Sequence, residues 1–231
     1  GLVQSVLDEN NVAWRVALDY TPSSDTLIYA SVSRGAKAGT TPINAANLSR
    51  QNAPVRQEIL TAYELGLKQT LGIAQINLSA FYYHYKDKQI STYFADPIYT
   101  ALSRLDNVPK SRAYGVEGDL SVRPADGLSL ALNALWLKTE IKDYLGTNAA
   151  GQAQLFDGIE FIYSPEFQGS ASLIYDAPIG NNLNLQFTAN GRYQSASNSI
   201  FEDLPLYKIP AYGVVNGSIG AGIAVAGAFS L

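Results

Sequence analysis

His84 is the only histidine in the chain, and there is no cysteine. A metal centre built from side chains needs several imidazole, thiolate or carboxylate donors at ligand spacing. No Asp, Glu or His cluster surrounds His84 in the sequence, so no metal or cofactor is expected. Glu140 and Asp143 are neighbouring carboxylates, but nothing near them would make one an acid and the other a base. There is no nucleophile–base pair and no Gly-rich phosphate loop, so the chain does not read as an enzyme. The residues suited to binding are aromatic and basic. Tyr93, Phe94, Tyr99 and Arg104 flank one connection, and such a group can hold a planar, anionic or sugar-like ligand by stacking and charge. They can equally serve as packing for a loop. Tyr163, Phe167, Phe201, Tyr207 and Tyr212 are weaker candidates of the same kind. Arg34, Lys37, Lys110 and Arg112 gather at the bases of long connections, where they could attract anionic ligands or lipopolysaccharide phosphates; the simplest reading is a solvated rim.

The balance of charge narrows the partners. The net charge is −4 and both signs are scattered along the 231 residues. The basic stripe of a nucleic-acid binder is missing. No apolar run reaches the roughly 18 residues of a transmembrane helix. Tyr occurs 15 times against 8 Phe and 2 Trp, an excess of amphipathic aromatics that suits surfaces half wet and half apolar. The N-terminus has no charged segment followed by an apolar core, so a signal peptide is not visible. For an exported protein that means a leader already removed or an internal piece of a longer chain.

The elements that position these residues repeat with a period of two, which is the strand signature. From residue 74 to 83, Ala74, Ile76, Leu78, Ala80 and Tyr82 share one face, and Gln75, Asn77 and Ser79 the other. Leu128, Leu130, Leu132, Ala134 and Trp136 repeat the pattern, as do Leu183, Leu185, Phe187, Ala189 and Tyr193. Trp14, Val16, Leu18 and Tyr20 oppose Arg15, Ala17 and Asp19; Tyr63, Leu65 and Leu67 oppose Glu64, Gly66 and Lys68; Val116, Leu120 and Val122 oppose Glu117, Asp119 and Ser121. Half-buried strands of a soluble sandwich also alternate, so height decides. The step from Leu128 to Trp136, at about 3.3 Å per residue and a tilt near 40°, climbs roughly 20 Å. An outer-membrane barrel has an apolar band about 25 Å tall with aromatics at its rims.

Connections alternate in length. Residues 21–25, 71–72, 124–127 and 177–181 are short and turn-like, whereas 37–56, 96–110, 144–165 and 195–210 are long. Tight turns at one end and extended loops at the other describe an outer-membrane barrel. About nine strands are expected, from residues 12–20 to 211–225. Bacterial barrels close with an even number, and open edges in lipid are costly, so further strands are expected on both sides.

The fold class is therefore all-β, a stretch of transmembrane antiparallel barrel. Several segments resemble the TonB-dependent outer-membrane receptors. These are residues 27–39 (Leu-Ile-Tyr-Ala-Ser-Val-Ser-Arg-Gly-Ala-Lys-Ala-Gly), 61–68 (Thr-Ala-Tyr-Glu-Leu-Gly-Leu-Lys), 80–87 (Ala-Phe-Tyr-Tyr-His-Tyr-Lys-Asp), 111–118 (Ser-Arg-Ala-Tyr-Gly-Val-Glu-Gly) and 123–128. The resemblance covers residues 12–212. It implies residues 1–231 to be part of a 22-stranded barrel, about nine strands of it, with the N-terminal plug and the terminal strands outside the chain. Family members end on an aromatic strand, while residues 214–231 are rich in Gly and Ala, which fits an interruption in mid-barrel. Tyr63, Glu64, Gly66, Tyr114, Gly115 and Glu117 then read as structural motif residues, with Glu64 and Glu117 facing the lumen, where Lys68, Arg123 or the plug can pair with them. The resemblance further implies a bacterial outer-membrane location and contact with membrane lipid and lipopolysaccharide. It implies TonB-dependent uptake of a scarce ligand, foremost a ferric siderophore, through an inner-membrane TonB complex. Cobalamin or an oligosaccharide is the alternative cargo; a passive porin and a soluble sandwich are the alternative classes.

Overall fold

In a computed structural model, which describes residues 7–42, 51–96, 98, 100–148, 150–180 and 183–223, the two-residue periodicity becomes one large antiparallel sheet. In chain order the strands are β1 (Trp14–Ser23), β2 (Thr26–Lys37), β3 (Glu58–Leu71), β4 (Ala74–Asp96), β5 (Thr100–Ala125), β6 (Leu128–Lys142), β7 (Tyr144–Thr147), β8 (Ala153–Phe156), β9 (Phe167–Ile179), β10 (Leu183–Gln194), β11 (Ser197–Asn198), β12 (Lys208–Ile209) and β13 (Tyr212–Ile223). Nine of them form the sheet in the order β1-β2-β3-β4-β5-β6-β9-β10-β13. The pairs β7–β8 and β11–β12 are two-stranded elements inside the long connections.

Register carries the apolar face unbroken across the sheet. Leu18 lies beside Ala30, Ala30 beside Leu65, Leu65 beside Ala80, and Ala80 beside Val116. Val116 continues to Trp136, and Trp136 to Phe167. A one-residue slip anywhere would turn a whole strand's apolar set to the polar side. Near the long-connection end, rings touch from strand to strand: Tyr63 to Tyr82 at 6.4 Å, Tyr82 to Tyr114 at 6.3 Å, Tyr114 to Trp136 at 6.1 Å. Phe167 and Tyr193 extend this row at 6.1 Å. Tyr175 and Phe187, 6.4 Å apart, mark the other rim. Between the rims Leu18, Leu65, Val116 and Leu132 stand exposed. A single sheet buries neither face against protein, and an apolar area this continuous is far beyond what soluble monomers expose.

The short connections are tight turns. At the β5–β6 turn Gly127 has φ 76°, and a Cβ there would run into the Asp176 carbonyl oxygen. Glycine alone meets both conditions.

Of the connection expected at residues 96–110, Asp96 and residues 100–110 are instead strand. β4 and β5 run to 23 and 26 residues and stay paired up to Asp96 and Thr100. At about 3.3 Å per residue the hairpin is roughly 75 Å long, so its upper part stands well clear of a band about 25 Å tall. That part alternates poorly in polarity because water, not lipid, lies around it, so periodicity alone reads it as loop. The exit is braced at its base. Pairing steps from Lys86–Lys110 to Lys88–Val108 across Asp87, which has φ 53°. Asn107 accepts from the Arg56 backbone N–H at 2.8 Å and donates to the Asp87 carbonyl at 2.8 Å. Arg56 in turn binds the Asp87 carboxylate at 2.6 Å.

The described residues of the connections at 144–165 and 195–210 are also more ordered than a loop reading suggests. Val108, Ile141, Tyr144 and Phe156 form a buried apolar cluster, flanked by Ile90, Ile159, Phe161 and Phe201. The β7–β8 hairpin is thus folded onto the projecting β4–β5 hairpin by ordinary hydrophobic burial.

Candidate functional site

The motif residues divide by parity. Tyr63 and Tyr114 point to the apolar face and belong to the aromatic row. Glu64, Gly66, Gly115 and Glu117 point to the polar face. There two rows cross four strands: Ser31, Glu64, Phe81 and Gly115 in one, Tyr29, Gly66, Ser79 and Glu117 in the next. The Tyr29 hydroxyl donates to Glu64 Oε1 at 2.7 Å, and the Ser79 hydroxyl donates to Glu117 Oε1 at 2.9 Å. Neither carboxylate forms an ion pair among the described residues. Lys68, expected as a partner, lies instead over the Tyr29 ring at 5.9 Å.

The two glycines explain themselves by what crosses them. A Cβ on Gly66 would enter the Tyr29 ring. A Cβ on Gly115 would meet the Trp136 carbonyl oxygen and come within 2.9 Å of Phe81 Cζ. Aromatic rings from adjacent strands cover both gaps, the usual compensation for glycine in a sheet. Phe81 also stacks on Tyr83 at 4.8 Å. Farther along the polar face, Asp119, Asn133, Ser170 and Arg192 align in one row, with Asn133 donating to Ser170 at 3.1 Å. Tyr212 joins this face, bound to Gln194 at 3.1 Å.

The second candidate region is the tip of the β4–β5 hairpin. Tyr93 is 62% exposed, and Phe94 is 5% exposed. The Arg104 guanidinium lies 5.9 Å from the Phe94 ring and binds Asp106 at 2.6 Å. Tyr144 donates to the same Asp106 oxygen at 3.1 Å. Burial pushes the Tyr144 hydroxyl above its ordinary pKa, and the Asp106 charge adds to the shift. Arg104 Nε is buried without a hydrogen-bond partner. Phe94 and Arg104 are thus brought together, Tyr93 turns away from them, and Tyr99 lies outside the described residues. Asp106 follows Arg104 by two positions on β5, so strand parity alone puts them on one face; Tyr144 had no signal in the sequence, because only the folded-back β7–β8 hairpin brings it near them. Of the weaker aromatic candidates, Phe167 sits in the outward ring row and Phe201 packs on Tyr144 at 5.9 Å.

Comparison with known proteins gives this arrangement its context. The model of the family "TonB dependent receptor-like, beta-barrel" matches residues 3–229. The ferric yersiniabactin uptake receptor FyuA from Yersinia pestis superposes with a TM-score of 0.70 at 21% identity, over 89% of this chain and 29% of that receptor. BauA, the ferric preacinetobactin receptor from Acinetobacter baumannii, gives 0.69 at 20%, over 96% and 31%. The siderophore receptor PiuA from the same organism gives 0.65 at 15%, over 90% and 29%. The chain spans under a third of the length of these receptors. No curated protein sequence matches it. The polar and apolar faces of the sheet therefore correspond to the lumen and lipid sides of a barrel wall, and the chain belongs to the TonB-dependent receptor β-barrel family, a family of bacterial outer-membrane receptors and not of enzymes.

Proposed function

We propose that these nine strands are part of the wall of a plugged, TonB-dependent uptake receptor whose cargo is a ferric siderophore. The observation that carries the receptor reading is the pair of lumen-facing carboxylates, Glu64 and Glu117, each held by one neutral hydroxyl and by no cation among the described residues. A plug inside the lumen would supply their cationic partners. The cargo reading is supported by the three similar structures, described as a ferric yersiniabactin uptake receptor, a ferric preacinetobactin receptor and a siderophore receptor. It is also supported by the β4–β5 tip, where Tyr93 is exposed on one face of the hairpin and Arg104, on the opposite face, is paired with a single carboxylate; either group suits contact with a bulky anionic chelate.

A deletion strain grown under iron limitation tests the cargo. It is expected to lose growth on at least one ferric siderophore while growth on cobalamin and on glycans is unchanged. An unimpaired response to every iron chelate, with loss on cobalamin or a glycan, would transfer the assignment to that ligand. Within the siderophore reading, Arg104→Ala should weaken binding of the active chelate about tenfold, on the order of 1.4 kcal/mol. Equilibrium binding to whole cells would measure it, and an unchanged affinity would remove Arg104 from the site.

A further inference from the structure

The alternation of β4 and β5 reverses where their hairpin leaves the wall. Lys86 and Lys110 face outward, in register with Lys142. Two residues on, Val108 should face the same way, yet it is fully buried with Ile141, which is on the lumen side. The break lies between them. Asp87 has φ 53°, and Pro109 has no N–H to give to the ladder. Lys88, the partner of Val108, is turned inward by the same step. Its ammonium lies 4.1 Å from the centre of the Tyr85 ring and 4.9 Å from that of Phe161, and these two rings meet edge-on at 6.1 Å. Phe161 comes from the connection after β8, its backbone N–H donating to the Thr139 hydroxyl at 2.9 Å.

Register sets an open recess beside this cage. Gly35, Leu60, Tyr85 and Ser111 share one lumen-side row. A Cβ on Gly35 would meet no heavy atom within 4 Å, so no described side chain fills the space in front of it. Two residues farther up β2, Lys37 lies beside Glu58 on the same side. Charge there does not cancel. Glu58 attracts the Lys88 ammonium and Lys37 repels it, while one Glu58 oxygen accepts from the Gln89 backbone N–H at 2.7 Å. Neither Lys37 nor Lys88 forms an ion pair among the described residues. Burial lowers the Lys88 pKa below its ordinary value, with Glu58 opposing the shift. A partly desolvated ammonium without a paired carboxylate is costly, and an arriving anion relieves that cost. An aliphatic anion would leave the rings unused, and a neutral ligand would leave the charge unmatched. The recess suits a ligand that is both anionic and aromatic.

We propose that Lys88, with Lys37 beside it and the rings of Tyr85 and Phe161 around it, selects chelates that hold iron through aryl oxyanions, phenolate or catecholate, over aliphatic hydroxamates and carboxylates. The aryl oxygens face the two ammoniums, and the aryl planes lie against Tyr85 and Phe161. The assignment rests on the siderophore reading and narrows it to one class of chelate.

The full receptor, purified in detergent and checked for folding by heat-dependent gel mobility, is dialysed to equilibrium against three radio-iron probes. These are the ferric complex of a synthetic tris-catechol, ferrioxamine B as the hydroxamate and ferric citrate as the carboxylate. The tris-catecholate should bind at least about tenfold tighter than either of the others. K88Q should weaken its binding roughly tenfold and F161L about threefold. K88R, which keeps the cation, should lose less than about threefold, and the distant K208Q nothing. The order of affinities in the unaltered receptor decides the matter even where K88Q does not fold. Preference for ferrioxamine B or ferric citrate, or equal tris-catecholate binding by folded K88Q, overturns the site and leaves the siderophore reading standing. Binding of none of the three also overturns the site; growth of the deletion strain on iron chelates then decides separately whether the siderophore reading falls with it.

Discussion

Replacing Gly115 by alanine is expected to destabilise the barrel by about 3 kcal/mol. The obstacle is backbone: the new Cβ would be driven into the Trp136 carbonyl oxygen of the adjacent strand, with Leu137 Cα 3.2 Å away. Neither atom can rotate aside as a side chain would. β5 and β6 would have to separate locally, which weakens the ladder between Gly115 and Leu137. The Phe81 ring, 2.9 Å from the new atom, would also be displaced. Gly35→Ala is the control, since no heavy atom lies within 4 Å of a Cβ there; a change of under about 0.5 kcal/mol is expected. Urea unfolding of the full receptor in lipid vesicles, followed by heat-dependent gel mobility, gives both values. Equal stability of the two variants would show that Gly115 is not at a close strand approach.

Leu132→Arg is expected to cost about 2–4 kcal/mol, and Asn133→Arg less than about 1 kcal/mol. Leu132 lies midway between Trp136 at one rim and Leu128, which pairs with Tyr175, at the other. Its neighbours Leu120 and Ala171 are apolar, so an arginine there would stand in hydrocarbon near the midplane. Asn133 is one residue away but faces the row of Asp119, Ser170 and Arg192, where charge is solvated. Assembly of each variant into vesicles, scored as the folded fraction against urea, separates the two faces. The reverse order of effects would exchange lumen and lipid sides and undo the lumen reading of Glu64.

Much of this architecture is legible in the chain alone because a strand's facing is a local property. Alternation at Leu128 to Trp136 or Leu183 to Tyr193 names the lipid side without knowledge of any neighbour. The same parity places Glu64 and Glu117 on the lumen side, and the short Gly-containing turns order the strands into a meander. The candidate sites were less legible. Phe94 and Arg104 are recognisable as a binding-type pair, yet the burial of one beneath the other depends on a hairpin that residues 88–108 do not announce by periodicity.

Tertiary structure alone decided what lies beside what. The aromatic ring over Gly66 comes from Tyr29, 37 positions earlier, and the carbonyl against Gly115 comes from Trp136, 21 positions later. Lys86, Lys110 and Lys142 are scattered over three strands and become one row only through register. The physical reason is that the period of two follows from the geometry of one strand, whereas register follows from pairing between distant ones. The sequence by itself determined which residues meet lipid and which meet water; the sheet decided which of them meet each other.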